Sequence, residues 1–328
     1  MPNSVSDTAS DAEVLVAPKQ RAWWPWARRA LTALFFAGIA WLLYHQARDL
    51  DWAQVGVSLS HYTASKLMLA VLLVALSYSL YASFDLIGRR YTRHLLSHRA
   101  VLSTAMVSYA FNLNFGALVG GVGFRYRLYS RLGLRTAVIT RVLGMSMIGN
   151  WIGYTLLLGL IFVGGALEIG DQARLGEEAL RVLGALLLMA APAYLVLCAV
   201  SRRREWIIRG IPIDLPHRRL AALQLAFSVT NWLVIASIPY LLLDGAVNYF
   251  AVLAALLLAA IAGVITHVPA GLGVMEAVFL AVLRGQVDEA PLLAALLAYR
   301  AVYYLMPLLL AGVVYLSMEA RLRGGVRA

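Results

Sequence analysis

A chain of 328 residues that is 61% hydrophobic and 14% charged, with a mean hydropathy of +0.75, lies far from the balance of a soluble domain and reads as an all-α polytopic membrane protein. The formal net charge of +11 raises nucleic acid as a partner, but the basic residues sit in short loops between apolar segments, with no aromatic-interleaved basic face, which argues against it. The lone Cys198 excludes an intrachain disulfide and any thiolate-pair metal site, and reads as a packing residue.

Residues 1–20, small and polar with Asp7, Asp11 and Glu13, read as a disordered cytoplasmic tail, and residues 21–328 as a single integral membrane domain. The first apolar run starts near Ala30, after Lys19, Arg21, Arg28 and Arg29, so it is expected to be an uncleaved span rather than a signal peptide. Trp23, Trp24 and Trp26 around Pro25 suit an interfacial belt. Apolar segments then fall at 30–44, 67–87, 100–119, 137–165, 182–200, 220–243, 248–268 and 291–317, each near the roughly 20 residues that span a bilayer.

Lys and Arg collect in short cytoplasmic loops, and this bias separates full crossings from partial ones. Residues 19–29 are basic and 48–66 are balanced, which puts the N-terminus inside; the four arginines of 89–99 return the chain to the cytoplasm. The next loop, 125–141, again holds arginines and no acid, so a full crossing by 100–119 would leave a strongly basic stretch outside. A hairpin that enters from the cytoplasm, breaks at the glycines of "NFGALVGGVGFRYR" and returns removes the conflict. Near the C-terminus a second hairpin, dipping in from outside and broken at Pro269, Gly271 and Gly273, leaves residues 284–290 outside and the arginine-rich C-terminus cytoplasmic. Both termini are then cytoplasmic, in a multi-pass inner-membrane protein.

The two halves correspond at an offset of about 150 residues, repeat 1 over about 67–165 and repeat 2 over about 220–317, with opposite membrane orientation. Six full spans and two broken re-entrant hairpins make an inverted repeat, an architecture typical of secondary transporters. Glycines that merely allow close helix packing are the plainer alternative.

Broken helices expose backbone N–H groups that hydrocarbon cannot satisfy, so they must face protein, water or a ligand. The glycines Gly120, Gly121, Gly123, Gly271 and Gly273 let a ligand approach the backbone, and Arg125 and Arg127 offer forked donors suited to phosphate. Arg300, nine residues after Pro291, lies deep enough to need a partner, and Glu276 is the acid within the C-terminal apolar region. That pair reads equally as structural or as part of a substrate site. Asn112, Asn114, Asn150, Asn231 and Asp85 are candidates to line the same cavity, or to make interhelical hydrogen bonds. Tyr299, Tyr303 and Tyr304 suit packing or an aromatic lining.

His94 and His98 stand four apart in a basic loop without a carboxylate or cysteine, which is not a metal-ligand pattern. No P-loop, HExxH, GxSxG or paired-carboxylate arrangement is present, and "GGVGFR" lacks the strand a dinucleotide loop needs. No cofactor, metal or enzyme activity is expected, and transport, if the chain performs it, is passive or gradient-driven.

At this point the residues resemble a family. "YAFNLNFGALVGGVGFRYRLYSRLGL" and "HVPAGLGVMEAVFLAVL" are similar to the paired motifs of the lysylphosphatidylglycerol synthetase transmembrane (flippase) domain family, most of all its stand-alone YbhN-like inner-membrane branch, over about residues 30–318. In that family the second motif runs Pro-Gly-Gly-x-Gly-x-Arg-Glu. Pro269, Gly271, Gly273 and Glu276 match it, while Ala270 replaces a glycine and Met275 an arginine, so a headgroup contact by that arginine is not carried over. The resemblance implies two pseudo-symmetric re-entrant elements, lipid translocation and homo-oligomers in some members. With no aminoacyltransferase domain after Arg327, it gives no reason to expect lipid aminoacylation.

The resulting expectation is a flippase for a phosphate-containing lipid, with an anionic membrane phospholipid as partner and Arg125 and Arg127 as headgroup ligands. A scaffold or regulator of a lipid-synthesis enzyme, and a small-anion transporter, are the competing classes.

Overall fold

The computed structural model describes residues 62–165, 174–208, 211–266 and 268–324, together with Val57 and Ser60. The expected tail, the tryptophan belt and the apolar segment 30–44 lie outside the described residues.

Helix α1 (Ala64–Thr92) is followed by α2 (His98–Phe115), a π-helical stretch (Ala117–Gly123) and α3 (Phe124–Arg131). Then come α4 (Thr136–Val163), α5 (Arg174–Val200), strands β1 (Glu205–Ile208) and β2 (Ile211–Asp214), and α6 (Arg218–Leu242). Helix α7 (Tyr249–Thr266) leads through a 3₁₀ turn (Pro269–Gly271) into α8 (Val274–Val282); α9 (Glu289–Arg300), a π turn (Ala301–Leu305) and α10 (Met306–Gly324) complete the described elements.

Among the described residues six stretches are long and apolar enough to cross a membrane: Ala64–Thr92, Thr136–Val163, Glu178–Val200, Arg218–Leu242, Tyr249–Thr266 and Glu289–Ala320. This is an all-α polytopic membrane protein. Tyr249–Thr266 qualifies by composition, yet its 18 residues reach only about 27 Å at 1.5 Å per residue, just short of a bilayer core of about 30 Å. The helices are apolar on their outer faces as well as their inner ones because hydrocarbon is the solvent. Leu72 is 60%, Met189 64% and Leu309 73% exposed, while Ser77, Asp85 and Asn231 are buried.

Small residues set the helix spacing. A Cβ at Gly159 of α4 would lie 2.8 Å from the Gly184 carbonyl oxygen of α5, so those two backbones touch, the usual device where no hydrophobic force separates protein from solvent. Around α3 and α4, Val101, Tyr129, Ile139, Val142 and Leu143 form a closed apolar cluster. Cys198 packs with Leu215 and Ala221, as a packing residue should.

The basic stretch 202–219 contains an element that its charge concealed. β1 and β2 pair antiparallel, with Glu205 opposite Asp214. Arg141 at the start of α4 ties them down, Nη2 to Glu205 at 2.9 Å and Nε to Asp214 at 3.5 Å. Burial pushes the Asp214 carboxyl above its ordinary range, and Arg141 offsets part of that rise.

Candidate functional site: two broken hairpins

The first hairpin turns at Gly116, the first glycine of its stretch. Helix α2 ends at Gly116, which adopts φ 82° and ψ 168°, a region occupied by glycine almost alone and costing an L-residue about 1–3 kcal/mol. Gly120, Gly121 and Gly123 lie on the returning π-helical arm, and none of the three has positive φ. Their task is proximity: a Cβ at Gly121 would lie 2.7 Å from the Asn112 side-chain oxygen, and one at Gly120 would overlap the Phe111 carbonyl. Asn112 also accepts the Gly116 N–H through its carbonyl at 2.9 Å.

Helix α3 then sends Arg125 inward and leaves Arg127 and Arg131 near its edge. Arg125 Nε donates to Asp85 Oδ2 at 3.0 Å and Nη2 to Oδ1 at 3.1 Å, a bidentate fork. Tyr129 donates to the same carboxylate at 2.8 Å, and the guanidinium lies over the Tyr81 ring. Both side chains are sealed, at 2% and 0% exposure. Arg125 was expected to hold a headgroup; its fork is filled by Asp85, and it fastens the first hairpin to α1 instead. Arg127, 29% exposed, sits 4.0 Å from Glu319 and over Tyr315, and Arg131 pairs with Glu319. These contacts bind α3 to the end of α10.

The second hairpin breaks where expected. Ala270, Gly271 and Gly273 all have positive φ, at 53°, 59° and 73°, so the chain unwinds after α7 and restarts at Val274. Arg300, buried on α9, spans the break: Nε and Nη2 donate to Glu276 at 2.6 and 2.9 Å, Nη1 to the Ala270 carbonyl and Nη2 to the Gly271 carbonyl, both at 3.0 Å. The pairing expected from the depth of Arg300 is made. The guanidinium also takes up two carbonyls that unwinding deprived of helical partners, the satisfaction a membrane interior demands. Met275, which stands where the family motif has arginine, is buried at 4% exposure.

A polar and aromatic seam joins the two pairs. Tyr81, beneath Arg125, stacks on Tyr109 at 3.6 Å between centroids. The Tyr109 and Tyr303 hydroxyls are 2.9 Å apart, Tyr303 is 2.9 Å from Ser77 Oγ, and Ser77 donates to Asn231 Oδ1 at 2.8 Å. Tyr303 stacks on Tyr299, which packs edge-on to Tyr304 under Arg300. Asn114 donates to the Ala110 and Tyr304 carbonyls; its Oδ1, like Asn231 Nδ2, is buried without a protein partner. Helix α2 also packs on the turn Pro269–Gly271, so the first hairpin lies against the break of the second. Among the described residues no group of three His, Cys, Asp or Glu is placed to hold a metal ion.

From sequence, Asp85 was a candidate cavity liner or interhelical hydrogen-bonding residue, and its arginine partner was not foreseen. An acid alone in the span 67–87 was the available signal, because an intramembrane carboxylate requires a cation. Tyr109 and Ser77 carried no such signal, since an isolated hydroxyl in a helix looks the same whether it bonds its own backbone or another helix.

Helices enclosing two interrupted hairpins, each stapled by a buried arginine forked onto a carboxylate, define a polytopic membrane protein of the broken-helix class. Residues 29–311 match the sequence profile described as the lysylphosphatidylglycerol synthase TM region, and the chain belongs to that family. It is 45% identical over 299 residues to inner membrane protein YbhN of Escherichia coli K12, covering 91% of this chain and 94% of that protein. Identity to an uncharacterized protein of Synechocystis is 27%, over 86% of this chain and 88% of the relative. With a phosphatidylglycerol lysyltransferase of Staphylococcus haemolyticus it is 23%, over 85% of this chain but 32% of that longer protein.

Proposed function

We propose that the protein moves a phosphate-containing lipid or amphiphile between the leaflets of an inner membrane, without catalysing a covalent step. The observation that carries this reading is the meeting of two broken hairpins inside one apolar bundle. Unwound backbone is tolerated at membrane depth where it is buried in protein or lines a polar path, and transporter sites are built from such helices. Membership of a family whose relatives include phosphatidylglycerol lysyltransferases supports a lipid as cargo, and an anionic phospholipid fits an interior whose cations are arginines. In this reading Gly271 and Gly273, with open space beside them, give the cargo access to backbone, Gly120 and Gly121 hold the returning arm against α2, Asn112, Asn114 and Arg127 border the first break, and Glu276 and Arg300 the second. Arg125 positions the first hairpin.

The test is movement of a fluorescent phosphatidylglycerol between leaflets of proteoliposomes, read by dithionite quenching. Wild-type protein should expose inner-leaflet probe well above protein-free vesicles, and an Arg300→Gln variant should lose most of that gain. Equal quenching in protein-loaded and empty vesicles would leave a scaffold for a lipid-synthesis enzyme as the better reading. For orientation, the charge bias predicts that single cysteines at 128–132, in a Cys198→Ala background, label only after the membrane is opened, whereas those at 284–290 label from outside. Outside labelling at 128–132 would remove the inverted repeat.

A further inference from the structure

The two arginine–carboxylate pairs are not equally closed. Asp85 and Arg125 are 0% and 2% exposed, and the carboxylate is gripped from a third direction by Tyr129. Glu276 is 19% exposed beside an Arg300 that is 3% exposed, and the hydrogen bonds to its carboxylate come from Arg300. A carboxylate can accept about four, and among the described residues Arg300 is the partner that holds Glu276 in place.

Arg300, by contrast, keeps its place without Glu276. The carbonyls of Ala270 and Gly271 fix its two terminal nitrogens, and the Tyr304 ring lies 5.7 Å from its guanidinium carbon. If the glutamate leaves, a fixed cation remains at membrane depth, where an uncompensated charge is costly. Any anion that replaces it keeps the charge balance, and a phosphate edge presents two oxygens much as a carboxylate does. Glu276 belongs to the returning arm α8, whereas Arg300 belongs to α9. Breaking their fork therefore uncouples the hairpin arm from the helix that staples it.

We infer that Glu276 is an internal stand-in for a phosphate group: its carboxylate occupies the anion site of Arg300 and is displaced by the phosphate of an amphiphile, so that binding the cargo and loosening the second hairpin are one event. This rests on the transport reading and adds the group the cargo must expel. The sealed pair on the first hairpin has no such exchange and serves as the fixed half.

The experiment uses Glu276→Gln, which keeps the side-chain size and removes the competing charge. Native mass spectrometry of the purified full chain, titrated with phosphatidylglycerol, should show about tenfold tighter retention than wild type, equivalent to about 1.4 kcal/mol. Glu276→Gln combined with Arg300→Gln should lose that gain. Retention in Glu276→Gln equal to or weaker than wild type overturns the inference. If this variant survives extraction only with phosphatidylglycerol present, that dependence supports the exchange. If it fails to fold in either condition, Glu276→Asp is read the same way: one methylene shorter, it keeps the charge but loses the two-point grip, so tighter lipid retention is expected and unchanged retention overturns the proposal. Inorganic phosphate is titrated against the bound lipid. Failure to displace it assigns the site to a lipid headgroup, while displacement at equal concentration assigns the same phosphate chemistry to a free anion. Wild-type leaflet movement with unaltered binding in Glu276→Gln would sink the exchange and keep transport; tighter binding in Glu276→Gln with no leaflet movement by wild-type protein would keep the exchange and sink transport.

Discussion

Asp85→Asn should destabilise the protein by about 3–5 kcal/mol, because it leaves the Arg125 charge in a sealed site with no counterion. Both side chains are almost completely withdrawn from solvent, so water cannot screen the orphaned guanidinium as it would at a surface. Asparagine can still accept at its single carbonyl oxygen, yet it supplies no charge, and its NH₂ group, a donor, cannot receive the second arm of the fork. Arg131→Gln provides the contrast. Its partner is also a carboxylate, Glu319, but its own side chain is 38% exposed, and such pairs contribute about 1 kcal/mol or less. Thermal unfolding in one detergent measures both. A double change, Asp85→Leu with Arg125→Met, removes both charges and should recover most of the loss, since apolar replacements of buried pairs are often neutral or better. A double variant no more stable than the worse single one would mean that Asp85 and Arg125 do not act as a pair.

Hydropathy located the described spans because the lipid-facing surface and the protein core are both apolar, so each helix shows as one uninterrupted run. The two breaks were legible for a related reason: glycine and proline clusters inside such a run have few other uses. Arg300 could be matched with Glu276 because both lie in one apolar region, where an unpaired charge is untenable. Arg125 could not be matched with Asp85, forty positions earlier in another span. In the sequence Arg125 opens a basic loop, where arginine is explained by topology alone, and nothing in its spacing shows that α3 turns this residue inward while leaving Arg127 and Arg131 near the edge. A similar ambiguity hid which glycine of the first stretch makes the turn. Gly120, Gly121 and Gly123 formed the more conspicuous cluster, but clustering cannot tell a glycine required for its φ from one required for its missing side chain.

Gly120→Ala should separate those two requirements, and it should prevent the protein from folding into its native form. The added Cβ would overlap the Phe111 carbonyl carbon and oxygen and the Asn112 nitrogen. All three are backbone atoms of α2, so no rotamer change relieves the clash; the returning arm must move bodily away. Overpacking in a well-filled core ordinarily costs about 1–3 kcal/mol. Here the displacement is carried five residues along the arm to Arg125, whose two bonds to Asp85 at 3.0 and 3.1 Å cannot follow a shift of an ångström or more. The cost of a stranded buried charge, about 3–5 kcal/mol, then adds to the clash, and the sum approaches the whole stability of a typical domain. Two other glycines calibrate the result. Gly116 has open space around it but φ 82°, so Gly116→Ala should cost about 1–3 kcal/mol, from backbone conformation alone. Gly144, inside α4, has open space and no positive φ, so Gly144→Ala should be neutral or stabilising by up to about 1 kcal/mol. Size-exclusion profiles and melting curves of the three detergent-extracted variants should therefore rank Gly144→Ala at or above wild type, Gly116→Ala a few degrees below it, and Gly120→Ala absent from the folded peak. Recovery of folded Gly120→Ala with a melting point near that of Gly116→Ala would show that the arm does not depend on this close approach to α2, and that positive φ at Gly116 is what the glycine stretch supplies.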